Sequence, residues 1–192
     1  LESSAFAAAE IESVDIRLES FEEIRSATIV DILPERRVVR PGEDLAVRFR
    51  LRKHRGGEEI RTLTLHIPEG IPDGHIDVVG GDGAAWTAYD LQMRPLEPSS
   101  FGDEVRLLNS LAPANTLVAA LEARDVGLVV PGGTVSAPPS KVLQLRSALG
   151  PNLRTTAYSV FAKTTAEVPF PVSGAQRIPL TVRSGEWKVE KQ

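Results

Sequence analysis

The stretch DLAVRFRLRKHRGGEE, residues 44–59, decides the fold class because its apolar and charged residues alternate. Side chains of an extended chain point to opposite faces with a period of two, so this pattern indicates a half-buried strand with a cationic outer face. Five of the chain's 22 lysines and arginines lie in this stretch. Its apolar members are Leu45, Val47, Phe49 and Leu51, and the cationic members Arg48, Arg50 and Arg52 are called the arginine stripe below.

Short strands of the same kind surround this stretch. The turn PGED at 41–44 precedes it and the glycine pair at 56–57 ends it. Further strands are predicted at 27–33, 37–40, 60–67, 75–79 and 85–93, with GGDG at 80–83 as a hairpin turn between the last two. Short strands at this spacing, separated by Pro and Gly, predict an immunoglobulin-like antiparallel sandwich over residues 25–97.

The pattern changes in residues 98–192, where we predict a mixed α/β segment with closing strands. SFGD at 100–103 has the form of a capping box and predicts a helix that ends before Pro113. A second short amphipathic helix is predicted between Pro139 and Gly150. Strands are predicted at 117–123, 127–130, 156–168 and 178–182, and we expect the last one to return to the sandwich.

Charge is distributed unevenly along the chain of 192 residues, whose formal net charge is −4. Residues 1–24 contain seven acids and one arginine, a net of −6, whereas residues 36–61 contain nine bases and four acids, a net of +5. We interpret residues 1–24 as an acidic N-terminal arm or linking strand. We expect the charge of the arginine stripe to be balanced locally, and the candidate partner is the acidic run from Glu10 to Glu23. Because IESVDIRL at 11–18 also alternates, this run could lie near the stripe as an edge strand or arm.

Composition excludes several classes of protein. The chain has no cysteine, which removes disulfides, thiolate nucleophiles and cysteine metal sites. No apolar run approaches the roughly 18 residues that span a bilayer. The start LESSAFAAAE has neither a basic region nor an initiating Met, so it is an expression-vector remnant, a processed terminus or the interior of a longer chain, and we favour the last.

Few residues qualify as catalytic candidates. The histidines His54, His66 and His75 form no zinc-binding pattern of the H-E-x-x-H kind, and His66 is interpreted as a solvated or hydrogen-bonded side chain. A G-x-S-x-G turn is absent. Ser173 in PVSGAQ comes closest to it, but with no base nearby it is better explained as a turn residue before the last strand.

Metal and cofactor sites are also not expected. Asp73, Asp77 and Asp82 could in principle meet at a calcium ion, but their spacing is not that of an EF-hand and aspartates in turns usually cap their own backbone. GGDGAA lacks the third glycine of a dinucleotide-binding turn. We therefore predict no catalytic, cofactor-binding or metal-binding residues in this chain, and no cofactor.

Two binding functions can be weighed from the composition. Nucleic-acid binding would use the arginine stripe together with exposed aromatic residues, but aromatics make up only 5% of an acidic chain, so we expect a solvated sheet face and no nucleic-acid partner. A carbohydrate- or polymer-binding sandwich would need aromatic side chains in line. Trp86, Tyr89 and Trp187 are the candidates for such a platform.

Several phrases of the sequence, taken in order, resemble a known arrangement. They are ATIVDILPERRVVRPGEDLAVRFRLRKHRGG (27–57), LTLHIPEGIPDGHIDVVGGDG (63–83), LLNSLAPANTLVAALEARDVGLVV (107–130), PPSKVLQLRSA (138–148) and VSGAQRIPLTVR (172–183). Together they are similar to the C-terminal accessory region of exported bacterial proteins that carry a SpoIVB-type (stage IV sporulation factor B) peptidase-like domain. VSGA at 172–175 lacks the flanking pattern and the histidine partner of that family's catalytic serine, so no catalytic residue is carried over.

The resemblance implies an accessory module downstream of a peptidase-like domain, located outside the cytoplasm. Combined with the missing catalytic motifs, it leads us to expect a non-catalytic accessory or protein-interaction module. Its partners would be neighbouring domains of the parent chain or another protein, with no transmembrane segment. The alternatives are the carbohydrate- or polymer-binding sandwich and a hydrolase that uses Ser173.

Overall fold

The computed structural model describes residues 6, 12–93, 98, 100–124, 127–130, 133–135, 138, 141, 154–156 and 158–185. These residues form a mainly β structure with two sheets arranged as a sandwich, which is the fold class that the sequence predicts. The strands are β1 Ala27–Pro34, β2 Val38–Val39, β3 Asp44–Lys53, β4 Glu58–His66, β5 Gly74–Asp82, β6 Thr116–Ala123, β7 Gly127–Val130, β8 Gly133–Val135, β9 Arg154–Thr156, β10 Ser159–Glu167, β11 Val172–Ser173 and β12 Ala175–Val182. The helices are α1 Gly83–Met93 and α2 Phe101–Asn109.

The first sheet has the strand order β11-β1-β3-β4 and the second has the order β10-β6-β5-β12-β2. Most neighbours are antiparallel, whereas β11 runs parallel to β1 and β2 runs parallel to β12. A small third sheet has the order β8-β7-β9. Since β5 pairs with both β6 and β12, the second sheet contains strands from both 25–97 and 98–192, and the last strand returns to the sandwich as expected.

The core lies between the two sheets. All the predicted apolar residues of β3 are buried, together with Leu63 and Leu65 of β4, whereas the arginine stripe stays on the outer face. From the other sheet, Val78, Leu121 and Leu180 enter the same cluster. The buried and solvated faces predicted from the alternation in residues 44–53 are therefore confirmed, because one face of β3 covers the core and the other is solvated.

A bulge in β1 is held by a side chain from the opposite sheet. The register of β1 against β3 shifts between Ile29 and Asp31. The side chain of Gln176 accepts a hydrogen bond from the Ile32 amide (3.2 Å) and donates one to the carbonyl of Val30 (3.0 Å). One amide side chain thus satisfies two backbone groups that the bulge frees, and it links the two sheets.

The prediction of a strand at 85–93 and of a hairpin turn at 80–83 is wrong. Gly80, Gly81 and Asp82 end β5, and a helix follows directly. Asp82 Oδ1 accepts a hydrogen bond from the Ala85 amide (2.8 Å), which is the contact an N-cap residue makes with the first turn. In this chain Gly-Asp-Gly therefore ends a strand and caps a helix. The same three residues also fit a hairpin turn, so the composition alone does not distinguish the two structures.

The capping box is confirmed at α2, where the Ser100 hydroxyl accepts a hydrogen bond from the Asp103 amide (3.2 Å). The second predicted helix, between Pro139 and Gly150, lies outside the described residues apart from Lys141. Among the described elements, no helix is long and apolar enough to cross a membrane.

Candidate functional site

The outer face of the second sheet carries a cluster of charged and aromatic side chains beneath α1. Arg177 on β12 lies between two carboxylates: its Nη1 is 2.9 Å from Asp77 Oδ2, and its Nη2 is 2.7 Å from Glu122 Oε2. The Tyr89 hydroxyl accepts a hydrogen bond from Arg177 Nη2 (2.7 Å) and donates one to Glu122 Oε1. Asp77, Glu122, Arg177 and Tyr89 are called the polar cluster below.

The polar cluster is largely withdrawn from water. Glu122 is only 1% exposed and belongs to β6, every residue of which is buried. Its Oε2 accepts no aligned hydrogen bond from a described residue, although the Arg177 guanidinium lies close to it. A buried carboxylate needs an opposite charge, so Arg177 and Glu122 depend on each other for burial.

This environment shifts two pKa values. Burial, followed by the hydrogen bond to the Glu122 carboxylate and its charge, raises the pKa of Tyr89 well above its ordinary value. Burial alone would lower the pKa of Arg177, but the hydrogen bond to Asp77 and the charge of Glu122 outweigh it and raise the pKa. Tyr89 therefore stays protonated and donates to a carboxylate.

A small cleft of about 260 Å³ opens beside the polar cluster. It lies between α1 and β12, where Tyr89 and Trp86 meet the strand residues Gln176 and Arg177. Trp86 is only 5% exposed and packs on Val118 and Ala120. A buried indole offers no stacking surface to a sugar, and Trp187, the third member of the predicted platform, lies outside the described residues.

A wider cleft of about 810 Å³ lies beside β2 and the end of β12. Its lining includes Arg36, Arg40 and Arg183, but the Arg36 guanidinium is 2.9 Å from Glu43 Oε2. Asp73, on the same lining, accepts hydrogen bonds from the amide and hydroxyl of Ser184. The cleft thus has charges of both signs, already paired in part, and no concentrated field for an anion.

The three aspartates considered for calcium do not converge. Asp73 binds Ser184, Asp77 pairs with Arg177, and Asp82 caps α1 with one oxygen while its other accepts from the Gly174 amide (2.9 Å). No group of three or more metal-binding side chains occurs among the described residues. Each carboxylate has a structural partner of its own, so these aspartates act as caps and ion pairs.

The hydrolase candidates are also apart. Ser173 is an exposed residue of β11, next to Gly174, whose φ of +118° makes the turn into β12. His66 Nδ1 lies 2.9 Å from Asp44 Oδ1 on an exposed face, which is the solvated, hydrogen-bonded histidine that the sequence indicates. His54 and His75 are exposed as well. These side chains do not form a nucleophile–base pair.

Two members of the arginine stripe are paired with carboxylates of their own sheet. Arg50 lies 3.5 Å from Asp31 and 3.6 Å from Glu58, and Arg52 lies 3.7 Å from Glu58. Next to the stripe, Lys53 Nζ is 2.6 Å from Glu59, and the hydrogen bond from Lys53 together with the charges of Lys53 and Arg61 lowers the pKa of Glu59. The charges of Arg50 and Arg52 are balanced locally, as predicted, but by carboxylates of neighbouring strands and not by the acidic run.

The predicted contact with the stripe is not formed by the described part of the acidic run. Residues 12–24, called the exposed N-terminal segment below, contain no helix or strand and belong to no sheet of the described chain. Their ion pairs are local: Arg17 pairs with Glu19, and Glu23 pairs with Arg25, the residue that follows the segment. Val14, Ile16 and Leu18 are 69%, 76% and 90% exposed. A row of alternating apolar side chains is therefore exposed to solvent and packs on none of the described sheets.

Two features of this site were not found from the sequence. The polar cluster unites residues from β5, α1, β6 and β12, which are distant in sequence. The available signal was Glu122, a lone acid within the apolar run of 117–123. The other feature is that the exposed N-terminal segment belongs to no sheet of the described chain. Its alternating pattern was recognised in the sequence, but its predicted position against the arginine stripe is wrong.

Comparisons with known proteins give no family or relative. No family model, no curated protein and no solved structure matches the chain.

Proposed function

We propose that this chain is a non-catalytic protein-interaction module of a larger exported, peptidase-associated bacterial protein, and that it acts outside the cytoplasm. The observation that carries the interaction function is the exposed N-terminal segment. Three apolar side chains at every second residue, each more than two thirds exposed, form the face of a strand that lacks a sheet. Peptide segments of this kind bind by adding a strand to an exposed sheet edge.

The non-catalytic part of the proposal is supported by the separation of the candidate groups. Ser173 is the exposed residue of β11, whereas the histidine–carboxylate pair of His66 and Asp44 joins β3 and β4, and β4 is the opposite edge of the first sheet. Catalysis by a serine needs its base within hydrogen-bonding reach. A serine-directed fluorophosphonate probe is therefore expected to leave Ser173 unlabelled, and stoichiometric labelling would contradict this part.

The interaction part is tested by hydrogen exchange on the isolated chain at high dilution and on the full-length parent protein. Amides of residues 12–24 should exchange at least about tenfold more slowly in the parent, because a strand docked on a sheet edge has its backbone hydrogen-bonded. The turn at 54–57, which is exposed in this chain, is the internal control and should exchange equally in both. Equal exchange of residues 12–24 in the two proteins would contradict the proposed interaction.

A further inference from the structure

The first sheet has an open edge at β4. Among the described residues, β4 pairs with β3 only. At its end, the Ile67 amide donates to the Glu43 carbonyl, and the Ile67 carbonyl accepts from the Gly42 amide (2.8 Å each). Backbone groups of successive residues point to opposite sides, and the register is continuous, so Ile60, Thr62 and Thr64 direct their N–H and C=O groups to the open edge.

This edge is less protected than the corresponding edge of the second sheet. β4 runs for nine residues without proline, glycine or a bulge. β10, the edge strand of the second sheet, has a register shift between Val160 and Ala162 and an exposed Lys163. Bulges and lysines are devices that keep other strands away from an edge. β4 lacks both, and it exposes Ile60 at 62%.

Partly exposed apolar side chains lie next to the β4 edge, on the inner side of the first sheet. Leu63 and Leu65 of β4 are buried, and β4 lies against β10 across the sandwich. The β10 side chains Phe161 and Ala166 pack on the core but remain partly exposed. A further strand beside β4 would cover these side chains if its own inner face were apolar.

The exposed N-terminal segment complements this edge in pattern, length and charge. Its residues 12–20 match the nine residues of β4, with the apolar Val14, Ile16 and Leu18 alternating with charged residues. Residues 12–24 contain five acids and one arginine, a net of −4, whereas residues 44–66 contain six bases and three acids, a net of +3. Opposite charge favours the encounter and fixes the register.

Resting on the proposed function, we propose that the exposed N-terminal segment of one copy adds as a strand to the β4 edge of a second copy, and that the exchange is reciprocal. Among the described residues the segment lies on no sheet edge of its own chain, and its apolar side chains are exposed, so they are free to bind the edge of a second copy. Donor and acceptor occur on the same chain, so a reciprocal exchange between two copies gives a closed two-fold dimer.

The test measures the mass of the chain in solution over a range of concentrations, for the native sequence and for two variants. Ile16→Asp with Leu18→Asp places charge on the apolar edge of the donor. Thr62→Pro removes an acceptor-strand N–H that faces the open edge, which leaves the hydrogen bonds between β4 and β3 intact. Both variants should weaken dimerisation by at least about tenfold. Thr62→Ser and Ile24→Asp, the latter beyond residues 12–20, are the matched controls and should dimerise normally.

Three results would overturn the inference. They are a native chain that stays monomeric at every concentration, a dimer that persists in both variants, and a monomer whose residues 12–20 are protected from exchange by its own sandwich. Urea unfolding of each variant at a dilution where it is monomeric shows that its fold is intact. A monomeric native chain whose residues 12–24 are still protected in the parent protein would refute the second copy as the partner and leave the proposed function in place.

Discussion

The guanidinium of Arg177 lies 2.7 Å from the carboxylate of Glu122, a side chain that is 1% exposed near the end of a fully buried strand. An unpaired charge at this place would be costly, because an ion loses its hydration on burial. The pair therefore joins β6 to β12 across the intervening strand β5, through two residues that are 55 positions apart in the sequence.

Removing one member of this pair should destabilise the chain strongly. Arg177→Met leaves Glu122 buried without its cation, and breaking a buried pair in this way costs about 3–5 kcal/mol. The double variant Arg177→Met with Glu122→Leu removes both charges and should recover most of the loss, because an apolar replacement of a buried pair is often neutral. Urea unfolding of the three proteins measures both effects. A double variant less stable than Arg177→Met would contradict the mutual dependence of the pair.

Tyr89 should make stability fall at alkaline pH. Its pKa in the folded chain is raised above the value of about 10 that it has when unfolded. Between these two pKa values the unfolded chain releases a proton that the folded chain retains, so the free energy of unfolding decreases as the pH rises. Below about pH 10 the contribution is fully present.

The measurement for this prediction compares the native chain with Tyr89→Phe by urea unfolding on both sides of pH 10. The other alkaline groups titrate in both proteins, so the difference between the two profiles isolates Tyr89. The gap in stability should be largest below this pH and should shrink above it. A gap that stays constant with pH would show that Tyr89 titrates normally.

How far the sequence predicts the structure can be judged from β3 and α1. In β3 every second residue is apolar, and one buried face is the only explanation for that pattern, so the core positions follow directly. At Asp82 the composition Gly-Asp-Gly fits a turn as well as a helix cap, and the choice depends on the contact that Asp82 makes with Gly174. The polar cluster depends on tertiary neighbours in the same way, since its members come from four elements.

Gly80 should be intolerant of a side chain. A Cβ at this position would lie 2.6 Å from Ile32 Cδ1 and 3.1 Å from Phe49 Cζ, in the centre of the core. Gly80→Ala is therefore expected to cost about 1–3 kcal/mol through overpacking. Adding Ile32→Val removes the closest atom and should restore part of the stability, although Ile→Val alone costs about 0.5–1.5 kcal/mol.

Gly57→Ala is the control for this prediction, because a Cβ at Gly57 would have no atom within 4 Å. Its effect should stay within about 0.5 kcal/mol, the usual range for surface substitutions. Denaturant midpoints of the native chain, the three single variants and the double variant measure these effects. If Ile32→Val worsened Gly80→Ala by its full separate cost, the close contact would not be the cause.

The arginine stripe should not bind nucleic acid, because two of its three charges already have carboxylate partners. Arg50 and Arg52 lie within 4 Å of carboxylates on neighbouring strands, and a phosphate would have to displace them. A true phosphate-binding face gives an affinity that falls steeply with salt, as counterions are released. Labelled single- and double-stranded oligonucleotides, titrated at about 50 mM salt where phosphate contacts still hold, should show no saturable binding. The contrary result would be micromolar binding that is lost when Arg48, Arg50 and Arg52 are replaced by glutamate. If the same binding is kept when the control residues Arg36 and Arg40 are replaced, the stripe is a nucleic-acid surface.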